Sequence, residues 1–168
     1  MKQNTRKLTA LALTISFALI LSYIESRIPG FAAIPGVKVG LANIAVIFTL
    51  YKFGTKEAVL VSILRILLVS MMFGNPVSMI YSVAGAVLSL GSMIVLKRLT
   101  SLREVAISVV GGVMHNVGQI ATASLMISTN LITYYLPFLI LSGTIAGIAV
   151  GVASALLIQR IRDRKSVV

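Results

Sequence analysis

The stretch 57-EAVLVSILRILLVSMMFG-74 decides the fold. Apart from Glu57, Arg65, two serines and the closing glycine it is apolar, and as a helix it is about 27 Å long, close to the roughly 30 Å of hydrocarbon in a bilayer. A helix of a soluble protein would give one face to polar residues; this stretch has none to give. Working outward, five further runs of the same kind cover about 8–24, 37–53, 77–96, 104–128 and 132–159, each bounded by charge, Gly or Pro. Backbone groups in lipid must be satisfied within the segment, so runs of this length are helices, and no ten-residue alternating pattern marks a barrel. The reading is all-α: a polytopic membrane protein of six transmembrane helices forming a single integral domain over residues 1–168. Composition agrees, since 58% of the 168 residues are hydrophobic and 11% charged, against about 25% charged in soluble domains. No room is left for a separate aqueous domain.

The formal charge of +11 would point to nucleic acid in a soluble protein. Here the basic residues sort by loop. Lys2, Arg6, Lys7, Lys52, Lys56, Lys97, Arg98, Arg103, Arg160, Arg162, Arg164 and Lys165 fall on one side, and only Arg27 and Lys38 on the other. Basic residues are retained on the cytoplasmic side, so both termini are expected there, in a multi-pass protein of a bacterial cell membrane, with no nucleic-acid partner. The first run reads as a retained helix, because Glu25, Arg27 and Pro29 separate it from the small residues Ala32 and Ala33 where a signal peptide would be cut. The chain has no Cys, which excludes disulfides, thiolate nucleophiles and Cys-ligated metals.

The connections are unequal. The turn 74-GNP-76 and the one near Asn130 are short, whereas 25-ESRIPGFAAIPG-36 is long and punctuated by Pro and Gly. Short turns join antiparallel neighbours. A long outer loop with Phe31 and Ile34 available to pack is either a lid over a binding site or a tether.

An ionisable group at mid-bilayer is a functional hypothesis by default. Arg65 lies nine residues beyond Lys56, about 13 Å into the membrane. Glu57, Glu104 and Asp163 sit at the cytoplasmic edge, which leaves Glu25 as the one acid able to approach it. Two readings stay open: a guanidinium that pairs an anionic substrate, or a structural residue bonded to carbonyls or to Glu25. In 115-HNVGQ-119, His115 and Gln119 share a face at i and i+4, with Asn116 about 100° away. These three are interhelical hydrogen-bonding residues or ligand contacts; a second His for a metal site is absent. Lys38 and Asn43, toward the outer end of the second run, complete a polar set in the outer half of the membrane.

Small residues recur at intervals of four in the first run, as Ala10, Thr14 and Ala18 and as Ala12 and Ser16, a spacing that admits a close helix partner. The chain lacks G-x-x-x-x-G-K-[ST], H-E-x-x-H, G-x-S-x-G and the paired acids that hold magnesium on a diphosphate. It is therefore expected to be non-catalytic by itself, without cofactor or metal, and any ATP hydrolysis coupled to it belongs to another polypeptide.

The runs 22-SYIESRIP-29, 35-PGVKVGLANI-44 and 57-EAVLVSILRILLVSMMFG-74, with 111-GGVMHNVGQ-119, resemble the Gx transporter family, often labelled heptaprenyl diphosphate synthase component I, over nearly the whole chain. That family is similar to the substrate-binding S components of energy-coupling factor (ECF) transporters. The resemblance implies a six-helix S-component-like bundle, a small-molecule ligand taken from outside, and as partners a membrane coupling subunit and ATPases. In S components the first helix meets the coupling subunit through an Ala-x-x-x-Ala-like contact, for which Ala10, Thr14 and Ala18, or Ala12 and Ser16, are the nearest match. On this reading the ligand is a small anionic vitamin or cofactor precursor, held by Asn43, Arg65, His115, Asn116 and Gln119 with Lys38 at the mouth. The alternative is a non-catalytic accessory subunit of isoprenoid or quinone biosynthesis, or of a membrane redox assembly.

The orientation has a direct check. Single cysteines placed at Ala33 and Asn75 should react with an impermeant thiol reagent added outside intact cells, and Lys52→Cys and Arg98→Cys should not. The reverse pattern inverts the topology.

Overall fold

A computed structural model of the chain describes residues 2–27, 40–72, 76–127 and 132–165. Every regular element among them is a helix: α1 (Lys2–Ser26), α2 (Asn43–Lys52), α3 (Thr55–Met72), α4 (Pro76–Leu99), α5 (Glu104–Ile127) and α6 (Ile132–Lys165). Four stretches, Asn4–Ser26, Pro76–Leu99, Glu104–Met126 and Tyr135–Ile161, are long and apolar enough to cross a membrane. The outer surface of the bundle carries Leu8, Leu13, Ile63, Met71, Val87, Leu125, Leu141 and Leu156 exposed. Helices that are apolar on the outside as well as the inside belong in lipid, and the all-α membrane reading rests on this.

Most helix ends move only slightly from the sequence boundaries: 57–74 becomes Thr55–Met72, and 77–96 extends to Leu99. Two helices extend past their apolar runs, α1 back to Lys2 and α6 on to Lys165, and the run over 37–53 is the one that shortens markedly. Residues 37–39 lie outside the described residues, and the helix begins only at Asn43. Gly40 sits at φ 76, in the left-handed region that a right-handed helix does not pass through, and its carbonyl accepts the Asn43 N–H at 2.8 Å. The result is a helix of ten residues, about 15 Å long, half the hydrocarbon thickness.

A helix end buried in apolar surroundings must find partners for its orphan groups. Ahead of α2, the Glu25 carboxylate at the end of α1 accepts the Gly40 N–H at 2.6 Å. At its other end Lys97 of α4 donates to the Leu50 carbonyl, with its ammonium 4.7 Å from the centre of the Tyr51 ring. An acid near the N-terminus and a base near the C-terminus also oppose the helix dipole. Between these ends α2 is the most enclosed element. Ile44, Val46, Ile47 and Leu50 are buried in one cluster with Ala58 of α3, Leu90 and Met93 of α4, Ile107 of α5 and Val150 of α6.

The second organising feature is the sheet-like layer of α4, α5 and α6, in which α5 lies between the other two. Gly143, Gly147 and Gly151 form a ridge of small residues at intervals of four on α6. A Cβ added to Gly147 would stand 2.6 Å from the Cα of Val109, and one on Gly151 would stand 2.8 Å from the Cα of Val105. Gly112 faces the Gly143 carbonyl across the same seam. The backbones are thus close enough for Ser108 Oγ to donate to the Gly147 carbonyl at 2.7 Å. In lipid, where no hydrophobic force joins helices, close packing and such bonds are what hold them.

This seam makes a paired prediction. Gly147→Val forces the two backbones apart and should cost about 1 to 3 kcal/mol or more, seen as a lower thermal midpoint by circular dichroism in detergent. Gly91→Ala, where an added Cβ meets nothing within 4 Å, should leave the midpoint unchanged or raise it, by at most about 1 kcal/mol from helix propensity.

Candidate functional site

Polar residues collect at one depth. Arg65 is ten residues along α3 from Thr55, His115 eleven along α5 from Glu104, Ser89 ten from the end of α4 at Leu99, and Asn43 nine from the end of α2 at Lys52. At 1.5 Å per residue each lies about 14 to 17 Å from the same end of the bundle. All but Asn43 are buried, Arg65 at 8% exposure, His115 at 5%, Asn116 and Gln119 at 4% and Ser89 at 2%.

Within this layer α5 distributes its polar side chains to both neighbours. His115 and Gln119, one turn apart, face α4 at Gly85: a Cβ there would come within 2.9 Å of the His115 ring and 3.0 Å of Gln119 Cγ. Asn116, turned by about 100°, faces α6 and donates from Nδ2 to the Leu139 carbonyl at 2.9 Å and to Ser142 Oγ at 3.3 Å. A narrow cleft of about 10 Å³, lined by Asn43, Ser89, Ser108, Gly111 and Gly112 among others, joins this group to the start of α2. It has room for about one water molecule.

Arg65 belongs to α3, which packs on α1, α2 and α4. The acid whose field reaches its guanidinium is Glu25, the same carboxylate that accepts the Gly40 N–H. Arg65 is thus associated with the α1–α2 junction, where Glu25 ends α1 and meets Gly40. Lys38 and most of the 25–36 loop, with Phe31 and Ile34, lie outside the described residues.

Several of these groups are left with hydrogen-bonding capacity. Arg65 Nε, Ser89 Oγ, and both Nε2 and Oε1 of Gln119 are buried without a hydrogen-bond partner among the described residues. A buried polar atom in that condition costs about 1 to 3 kcal/mol, so these four, at the level of Arg65 and Ser89 and about one turn beyond it at Gln119, mark a place where donors and acceptors are held ready for something polar. Ser89 was not singled out by sequence: one serine among many in an apolar helix has no distinguishing pattern. By contrast, the acids are dispersed to the ends of different helices, and no group of three or more His, Asp or Glu converges among the described residues.

The small residues of α1 divide between two faces. Ala18 is fully buried against Ala42 and Ala45 of the α2 region. Thr14 is buried too, its hydroxyl donating to the Ala10 carbonyl at 2.8 Å, and Ala10 is half-buried. Ala12 and Ser16 face outward. One of the two stripes is therefore used inside the bundle, and the other remains on the surface.

A family model described as heptaprenyl diphosphate synthase component I matches residues 14–157. No curated protein and no solved structure matches the chain.

His115 is the single histidine of the chain, which makes its ring a clean reporter. In protein labelled with ¹⁵N-histidine, Gly85→Ala should displace the ring resonances, because the new methyl occupies the space against the imidazole. Gly91→Ala on the same helix should leave them in place. Equal spectra for both variants would mean that His115 does not pack on Gly85.

Proposed function

The chain belongs to the heptaprenyl diphosphate synthase component I family, and from that membership and the buried polar layer we propose that it is a membrane-embedded binding subunit for a small anionic molecule. The supporting observation is a buried guanidinium whose Nε has no hydrogen-bond partner among the described residues, together with the two amide atoms of Gln119 in the same condition about one turn farther into the membrane. A cation that deep is costly without an anion, and Glu25, the acid whose charge acts on Arg65, also accepts the Gly40 N–H. An anionic group arriving from the outer face would add the missing acceptor to Arg65, and Gln119, Asn43 and His115 would orient its remainder. The ligand class on this reading is a vitamin or cofactor precursor.

The chain has no motif for nucleotide hydrolysis, so inward release needs work done elsewhere. We assign that to an ECF-type membrane coupling subunit with its ATPases, with the outward stripe of Ala12 and Ser16 on α1 as the contact. Binding can shift a population between outward and inward forms only by its differential affinity for the two; ATP hydrolysis by the partners supplies the rest. The family description favours a second reading. A first component implies another, and this chain would then be the non-catalytic membrane accessory of a prenyl diphosphate synthase, the acids for diphosphate-bound magnesium being supplied by its partner.

Purification in mild detergent separates the two. Recovery of a coupling subunit and ATPases, with a small anion identified by mass spectrometry, supports import; recovery of a soluble prenyl synthase whose chain elongation depends on this protein supports the second reading. Within the import reading, Arg65→Lys keeps the charge and loses the planar fork. It should reduce the anion retained per folded protein in line with a loss of about 1.5 to 3 kcal/mol, with the thermal midpoint close to that of the parent. A fall in midpoint at unchanged retention removes Arg65 from the site.

A further inference from the structure

A groove of about 180 Å³ lies away from the polar layer, between α1, α2 and α6, toward the end of the bundle where α1 begins and α6 ends. Leu13, Phe17, Phe48, Leu157 and Ile161 line it. Apart from Thr14, whose hydroxyl is used on the Ala10 carbonyl, its walls are apolar, and it is open to the surroundings, since Leu13 is 66% and Phe17 39% exposed. In a bilayer the medium at this depth is acyl chain, so a groove of this lining accepts one at little cost.

Each of the three helices then carries a base near its part of the lining, one or two turns beyond it on α1 and α2 and beside Ile161 on α6. On α1, Arg6 precedes Leu13 by seven residues and Phe17 by eleven, which places all three on one stripe. On α2, Lys52 follows Phe48 by four. On α6, Arg160 follows Leu157 by three. Arg6 and Arg160 are exposed and Lys52 half-buried. Three acids lie near this end: Glu57, engaged by Lys7, Glu104 at the start of α5 and Asp163 near the end of α6, against a larger number of bases on the same helix ends. The groove therefore runs from an apolar floor to a basic rim at the interfacial level, an arrangement suited to a molecule with a hydrocarbon chain below and a phosphate above.

We propose that this groove is a binding site for an anionic glycerophospholipid, one acyl chain of which lies against Leu13, Phe17, Phe48 and Leu157 while its phosphate meets Arg6, Lys52 and Arg160. The site is separate from the ligand site in the polar layer. A neutral zwitterionic lipid fills the same groove but gains less from the rim, so the site selects by headgroup charge.

The chain contains no tryptophan, which allows a direct measurement. Phe17→Trp places a fluorophore in the groove, and Val87→Trp, on the 65% exposed outer face of α4, provides a general lipid-facing control. Each variant is reconstituted into vesicles of dioleoyl phosphatidylcholine mixed with brominated phosphatidylglycerol or brominated phosphatidylcholine, and quenching gives the relative affinity of the two lipids at each position. The expected preference for phosphatidylglycerol at residue 17 is about fivefold or more, from about 1 kcal/mol for each base near the surface, with no preference at residue 87. Adding Arg6→Gln, Lys52→Gln and Arg160→Gln should bring the residue 17 ratio to that of residue 87, and high salt should lower it in the unsubstituted background even if the triple variant fails to insert. Equal ratios at the two positions overturn the proposal. So does absence of quenching at residue 17 by either lipid, which would mean that a protein surface covers the groove.

Discussion

The bundle depends on ending a helix inside a membrane. Bilayer hydrocarbon offers no hydrogen bonds, so a ten-residue helix with both ends near or within it is tolerated only if other helices supply the partners. Glu25 does so ahead of α2, through the Gly40 N–H, and Lys97 does so behind it, through the Leu50 carbonyl. These contacts bind α1 and α4 to the ends of α2, while its sides are buried by α3, α5 and α6. The short helix is thus the hub of the structure, and the charges at its ends are structural before they are anything else. Glu25 carries a second duty, because the same carboxylate is the acid near Arg65.

The α4–α5–α6 layer meets a different need. Where α2 is held by charge and burial, α5 is held by closeness: Gly112, Gly143, Gly147 and Gly151 remove the side chains that would keep two backbones apart. The same closeness fixes where the polar side chains of α5 go. With α6 seated tightly on one side and α4 on the other, Asn116 has a backbone carbonyl within reach, and His115 and Gln119 lie over the bare surface of Gly85.

Much of this was legible in the sequence, and the rest was hidden for physical reasons. The helical membrane class follows from how rarely charge interrupts the chain, and the turn of Asn116 by about 100° from His115 and Gln119 follows from helical spacing alone. The nearness of Glu25 to Arg65 was reachable by eliminating the other acids. The shortness of α2 was not, because hydropathy is continuous from Val37 to Phe53, and the positive φ of Gly40 is a choice that glycine permits without announcing. The small-residue pattern of α1 was visible but ambiguous, since spacing cannot say whether a stripe packs within the bundle, as Ala18 does, or faces out, as Ser16 does. The stronger pattern, Gly143, Gly147 and Gly151, was equally plain in the sequence and serves the interior. The unbonded atoms of Ser89 and Gln119 could not be anticipated, because satisfaction of a polar group depends on every neighbour at once.

The length of α6 has a mechanical consequence. Its apolar stretch, Tyr135–Ile161, has 27 residues and is about 40 Å long, some 10 Å more than the hydrocarbon it crosses. A rigid rod longer than the slab must lean or thicken the slab around it. Since α5 is locked to α6 by glycine contacts and the start of α2 is bonded to it through Ser154 and the Ile44 carbonyl, these helices lean together. Membrane thickness thereby becomes a lever on the bundle, with a thinner bilayer tipping the α5–α6 pair further and a thicker one standing it upright.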